Sequence, residues 1–67
     1  MQENDVLLTT VEVADLCRTV PSTVRYWRFA GDGPPGFKLG TRVLYWRSDV
    51  LQWLDAKQRD EALNRAG

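Results

Sequence analysis

Residues 19–31 read Thr19-Val20-Pro21-Ser22-Thr23-Val24-Arg25-Tyr26-Trp27-Arg28-Phe29-Ala30-Gly31, and this stretch decides the fold. Proline is tolerated in the first turn of a helix and is costly further in. A helix therefore starts at Pro21 and runs to about Ala30, with Thr19 or Val20 as its cap. Thr19 is the chemically better choice. Gly31 supplies the left-handed residue that ends a helix. Val24 and Trp27 form the apolar face, with Phe29 as an additional candidate. Ser22, Arg25, Tyr26 and Phe29 recur at helical spacing and share a different face, with Arg28 nearby. A core has no use for Ser, Arg and Tyr on one stripe, whereas a reader of the DNA major groove does. The plainer alternative is a solvated helix face with a spare aromatic.

Upstream, Thr9 and Glu12 fit the capping box, and Leu8 with Val13 fits the hydrophobic staple. They open a short helix over Thr10–Arg18 whose inner face carries Val13, Leu16 and Cys17. Two helices joined by about four residues read as a helix-turn-helix. Before them, Val6-Leu7-Leu8 is an apolar lead-in, and residues 1–6 form a flexible tail.

Downstream, Asp32-Gly33-Pro34-Pro35-Gly36 is a fixed turn. Phe37-Lys38-Leu39 and Val43-Leu44-Tyr45 then alternate as two short strands. A three-residue connection, Gly40-Thr41-Arg42, sets Leu39 opposite Val43 and Phe37 opposite Tyr45. Lys38 then pairs with Leu44 on the other face. A two-residue connection puts Leu39 against Arg42 and mixes the faces, so the longer one is expected. The hairpin tip carries Thr41 and Arg42, and a basic hairpin beside a helix-turn-helix is a wing. Ser48 is the expected cap of the last helix, with Asp49 in its first turn and Val50, Leu51, Trp53 and Leu54 as its apolar stripe. The fold class is mainly α with a small β-hairpin: a winged helix-turn-helix over residues 7–56. Residues 57–67 follow as a polar helical extension or tail.

Composition narrows the function. At 67 residues the chain is one small domain, thin for an enzyme that needs a walled cleft as well as a core. It has no His and one Cys, Cys17, which removes most His-based catalysis and any disulfide framework or cysteine zinc site within one chain. No enzyme, cofactor, metal or small-molecule ligand is expected. Asp15, Asp49 and Asp55 sit on different helices and serve as caps or surface charge. Gly31, Gly33 and Gly36 are turn residues, not a phosphate-binding loop. The polar, acidic start is no signal peptide, and no apolar run approaches the roughly 18 residues of a membrane span. A cytoplasmic protein is expected.

The net charge is zero, yet it is segregated: −4 over residues 1–17, +5 over 18–47 and −1 over 48–67. Such a field can turn one basic side to a polyanion.

Leu8-Thr9, Glu12-Val13-Ala14, Pro21, Thr23-Val24-Arg25-Tyr26-Trp27-Arg28, Gly31, Gly33-Pro34-Pro35, Phe37, Leu39-Gly40, Tyr45, Asp49-Val50 and Trp53-Leu54 fall in step with a known pattern. Over roughly Leu7 to Leu54 the chain resembles the small winged helix-turn-helix proteins of the excisionase and AlpA-like group, within the MerR-like superfamily. The resemblance implies a sequence-specific binder of double-stranded DNA, with the second helix in the major groove and the wing on the flanking backbone or minor groove. Full-length MerR regulators add a coiled coil and an effector domain, for which this chain has no room. The resemblance thus implies a phage, prophage or other mobile-element excisionase, a recombination directionality factor. Such proteins bind adjacent sites cooperatively and bend DNA so that integrase runs toward excision. Three departures stand out: Arg18 where the turn often carries Gly, Val20 where it often carries a hydroxyl cap, and Trp46 where this group has a basic residue. Trp46 has two readings, a DNA or protein contact and a side chain folded onto the core.

The expected major-groove residues are Ser22, Thr23, Arg25, Tyr26 and Arg28. Arg pairs bidentately with guanine or clamps a phosphate. Ser22 and Thr23 suit phosphate contacts, and the resemblance implies that Arg25 and Tyr26 touch backbone as well as groove. Lys38, Thr41 and Arg42 are the wing contacts, and Arg18 and Arg47 are secondary phosphate contacts. Cys17, Trp27 and Trp53 are expected in the core with Val13, Leu16, Val24, Leu39, Val43, Val50 and Leu54. The expected partners are DNA, an integrase and neighbouring protomers on DNA, with a monomer in free solution. Two alternatives remain: a small stand-alone transcription regulator, and a protein-interaction module without DNA binding that uses Trp46 and the segment Lys57–Ala66.

Overall fold

A computed structural model describes residues 4–66 of the chain. It runs β1 (Leu7–Thr9), α1 (Thr10–Leu16), α2 (Pro21–Ala30), β2 (Phe37–Leu39), β3 (Arg42–Trp46) and α3 (Arg47–Ala66). This is a winged helix-turn-helix in which three helices accompany a small three-stranded antiparallel sheet.

The capping box forms as the sequence indicates. The Glu12 N–H donates to the Thr9 hydroxyl at 3.2 Å, and the Thr9 N–H donates to Oε1 of Glu12 at 2.8 Å. The helix ends at Leu16, two residues before the expected Arg18, because Arg18 takes a left-handed φ of 58°. There the Arg18 N–H donates back to Asp15 O and the Thr19 N–H to Ala14 O. The cap of α2 is Val20, not Thr19. The residue before a proline is forced into an extended backbone, and with Pro21 in the first turn the cap must be that residue whatever its side chain. Gly31, at φ 76°, ends α2 as expected.

Two expectations about the sheet are corrected. Leu7–Thr9 is a third strand, and the sheet order is β1-β3-β2. The hairpin connection has two residues, not three: Leu39 lies opposite Arg42, Lys38 opposite Val43 and Phe37 opposite Leu44. Gly40, at φ 65°, supplies the positive φ that such a tight loop requires. The register tolerates mixed faces because β3 is the central strand. Val43 and Tyr45 turn toward the helices, with Leu8 opposite Tyr45. Arg42, Leu44 and Trp46 turn away, joined by Leu7, Phe37 and Leu39. Leu39 is accordingly 61% exposed and no part of the core. Trp46 is half-buried on this outer face, its ring 6.4 Å from that of Phe37.

The core consists of Leu8, Val13, Ala14, Val24, Tyr45 and Val50, with Leu16, Cys17, Trp27, Val43 and Leu54 packed against it. Burial raises the Cys17 thiol pKa, as suits a core filler. Trp53 is half-buried and lies on Trp27, with ring centroids 5.0 Å apart. Phe29 is 89% exposed and adds nothing to the inner face of α2. Tyr45, only 1% exposed, is the largest fully buried side chain. A Cβ on Gly36 would stand 2.6 Å from its ring, so glycine is the residue that lets the turn cross the tyrosine.

Helix α3 follows β3 without a linking residue, and this moves its cap. Ser48 lies inside the helix. Its N–H and hydroxyl both donate to the Asp5 carboxylate, the N–H at 3.1 Å. The Arg47 N–H donates to Val6 O. Asp5 and Val6, read as part of the loose tail, thus cap α3. Residues 1–3 of that tail lie outside the described residues. Trp53 Nε1 donates to Asp32 O at 3.2 Å, and Lys57 pairs with the Asp32 carboxylate at 3.2 Å. These bonds tie α3 to the 32–36 turn. Of the two readings of residues 57–67, the helical one describes the chain through Ala66.

Two predictions follow from this packing. Gly36→Ala should lower stability in a urea titration by about 2 kcal/mol through overpacking against Tyr45. The Ser48 hydroxyl bond, with smaller help from the Ser48 and Val6 N–H groups, holds the Asp5 carboxyl below its ordinary pKa. Its contribution to stability is present above the unfolded carboxyl pKa and is lost as pH falls through the lower folded value. Asp5→Asn should therefore melt below the wild type near neutral pH, and the gap in Tm should close on acidification.

Candidate nucleic-acid interface

Helix α2 divides along its length. Val24 is fully buried and Trp27 half-buried on the inner side, while Ser22, Arg25, Tyr26 and Phe29 are exposed on the other. Tyr26 is 65% exposed. Two aromatics left in solvent beside an arginine and a serine form a surface with no role in holding the domain together. Thr23 is half-buried in the first turn. Arg28 is oriented differently: its Nη1 donates to Gly36 O at 3.2 Å. Its charge also lowers the pKa of Tyr45, whose burial raises it. Arg28 thus ties α2 to the turn that leads into the wing.

On the wing, Lys38, Thr41 and Arg42 are exposed. The corrected register sets Lys38 on the face of Val43, and Arg42 on the other face with Leu44. Arg42 and Arg25 come together all the same. Both line an open groove of about 370 Å³ whose other walls are Thr9, Thr10, Val11 and Val43. Sequence reasoning missed Thr9, Thr10 and Val11 as neighbours of the basic residues, because it did not make Leu7–Thr9 a strand. The signal was an apolar triplet running straight into a capping box, which fits a strand that passes directly into a helix. Arg18 and Arg47 are exposed, at the α1–α2 turn and the head of α3, and do not line this groove.

The charge segregation survives folding. Among the described residues the ion pairs are Lys57 with Asp32 and Arg59 with Asp55. Neither uses a cation of residues 18–47. The one acidic group of that segment, Asp32, is matched by Lys57. Arg18, Arg25, Lys38, Arg42 and Arg47 have no carboxylate within 4.0 Å among the described residues. No helix among those residues is long and apolar enough to cross a membrane.

A helix-turn-helix with a solvent-facing polar and aromatic stripe, a hairpin wing and unpaired arginines defines a DNA-binding module. The family comparison agrees. A model of the helix-turn-helix domain family matches residues 7–58, and the chain belongs to that family. No curated protein and no solved structure matches the chain.

The different attachments of the two arginines on α2 give a test. Arg28→Ala should cost about 1 kcal/mol of stability with the loss of its bond to the turn. Arg25→Ala should leave the urea midpoint unchanged. An equal shift in both variants would make Arg25 a structural residue.

Proposed function

We propose that this protein is a sequence-specific binder of double-stranded DNA that acts as an excisionase, bending attachment-site DNA so that an integrase runs toward excision. The observation that carries the DNA reading is the exposed Ser22, Arg25, Tyr26 and Phe29 stripe of α2, beside a wing arginine that has no acidic partner. In this reading α2 enters the major groove. Ser22, Tyr26 and Phe29 meet base edges and thymine methyls, and Arg25 meets a guanine edge or a phosphate. Thr23 stands near the helix N-terminus, where hydroxyls and N–H groups suit phosphate. Lys38, Thr41 and Arg42 grip the flanking backbone, and Arg18 and Arg47 add outer phosphate contacts. Arg28 contributes chiefly by fixing the turn, through its bond to Gly36.

The excisionase role rests on the resemblance of Leu7–Leu54 to that group. The apolar outer face of the sheet, with Leu7, Phe37 and Leu39 all more than a third exposed, favours a protein neighbour on the same DNA. That neighbour is an integrase or an adjacent protomer. The same binding at a promoter would make the protein a small transcription regulator.

Fluorescence anisotropy across a salt series tests the DNA reading, with duplex from the protein's genomic neighbourhood and an unrelated duplex as control. Four or five phosphates neutralised by the unpaired cations give a log–log slope of about −4. Binding that is absent from both duplexes at low salt would overturn this reading in favour of a protein-interaction module. An excision assay with the neighbouring integrase separates the two DNA roles: recombination that proceeds equally without the protein would leave the regulator.

A further inference from the structure

The groove shared by α2 and the wing has a structural origin. Strand β1 pairs with β3 only as far as Thr9 opposite Leu44. Continued in the same register, Thr10 would face Val43 and Val11 would face Arg42. The capping box at Thr9 turns those two residues into the first turn of α1 instead. The flank of β3 at Arg42–Val43 is left uncovered, and Arg25 lines the same opening.

The contents of this recess are lopsided. Two arginines line it and no acidic residue does. Like charges brought to one place repel, and an anion between them reverses the sign of the interaction. The Thr9 hydroxyl accepts the Glu12 N–H, which leaves its proton to donate. The remaining lining is Thr10, Val43 and the 53%-exposed Val11. Forked cationic donors beside two valines suit a phosphodiester, whose charged oxygens on phosphorus stand next to the carbon of its ester links.

We infer that Arg25 and Arg42 grip one and the same DNA phosphodiester, so that the second helix and the wing lock onto DNA through a single shared phosphate. This rests on the DNA-binding reading above and deepens it. Arg25 is then a backbone clamp, and base discrimination falls to Ser22, Tyr26 and Phe29. Helix and wing also engage together, since each supplies half of one site.

The test uses a duplex selected from a randomised pool by the full-length protein, then remade with one neutral methylphosphonate at a time. On the unmodified duplex, Arg25→Ala and Arg42→Ala should each weaken binding by about tenfold, roughly one charge-assisted hydrogen bond. At one phosphate position the methylphosphonate should weaken wild-type binding by more than either substitution, up to about a hundredfold, and abolish the effect of both substitutions. Arg59→Ala, remote on α3 and paired with Asp55, should keep the wild-type response at that position. Arg25→Ala should also weaken a mismatched duplex by the same factor as the selected one. If the two variants lose their effect at different phosphates, or at none, the shared site is wrong while DNA binding stands. If the pool yields no duplex, both readings fall. Melting curves of the two variants matching the wild type exclude misfolding as the cause of either result.

Discussion

The burial of Tyr45 holds the rest of the molecule in place. It lies on the central strand and shares its core with Val13 of α1, Val24 of α2 and Val50 of α3. All three helices thus contribute to the core that holds this ring. Burial raises the pKa of its phenol, and the nearby Arg28 charge and the Thr10 hydroxyl work against that rise. Loss of a buried aromatic of this kind removes about 3–5 kcal/mol, a large share of what so short a chain can muster. The strand that carries Tyr45 into the core also carries Arg42 three residues earlier. The position of the wing cation relative to α2 is therefore set by the packing of the tyrosine.

Against that packing, the chemistry of the turn between α1 and α2 is poor. Arg18 occupies a left-handed conformation at a cost of about 1–2 kcal/mol for a side chain with a Cβ. Val20 caps α2 with no side-chain bond at all, where a hydroxyl or carboxylate would contribute about 1 kcal/mol. Neither defect alters the geometry, because Val13 and Val24 are completely buried and set how the two helices meet. Local propensity yields to tertiary contact here, as it commonly does. Both compromised residues lie at the entrance to the helix that carries the exposed stripe, where rigidity matters most to a reader of DNA.

What could be read from the sequence follows the range of each interaction. The capping box at Thr9 and Glu12, the proline start at Pro21 and the glycine stop at Gly31 are local rules, and each is obeyed. The stripe on α2 depends only on helical period, and it stands exposed. Failures came where a distant strand or residue decides. Two strands alone favour the three-residue hairpin connection, but β3 pairs on both sides and keeps Val43 and Tyr45 inward whatever Leu39 and Phe37 do. Ser48 looked like a cap because nothing nearby in sequence points to Asp5. The bond from Arg28 to Gly36 likewise has no local signal, since only the fold brings the turn within reach of α2. The Arg25–Arg42 recess depends on all of these together, so it could not be read before the third strand was known.

The cap on α3 ties the two ends of the domain to each other. Asp5 and Ser48 are 43 residues apart in sequence, and everything that would touch DNA lies in the loop they close. Strand β1 waits on the same distant partner, since it pairs with β3 and not with its neighbours in the chain. Closing a loop of that length costs entropy before any contact repays it. As the chain emerges from a ribosome, its first strand and first cap have no partner until residues 42–48 follow. The α1–α2 pair is synthesised early, but the strand and the cap that frame it wait for residues 42–48.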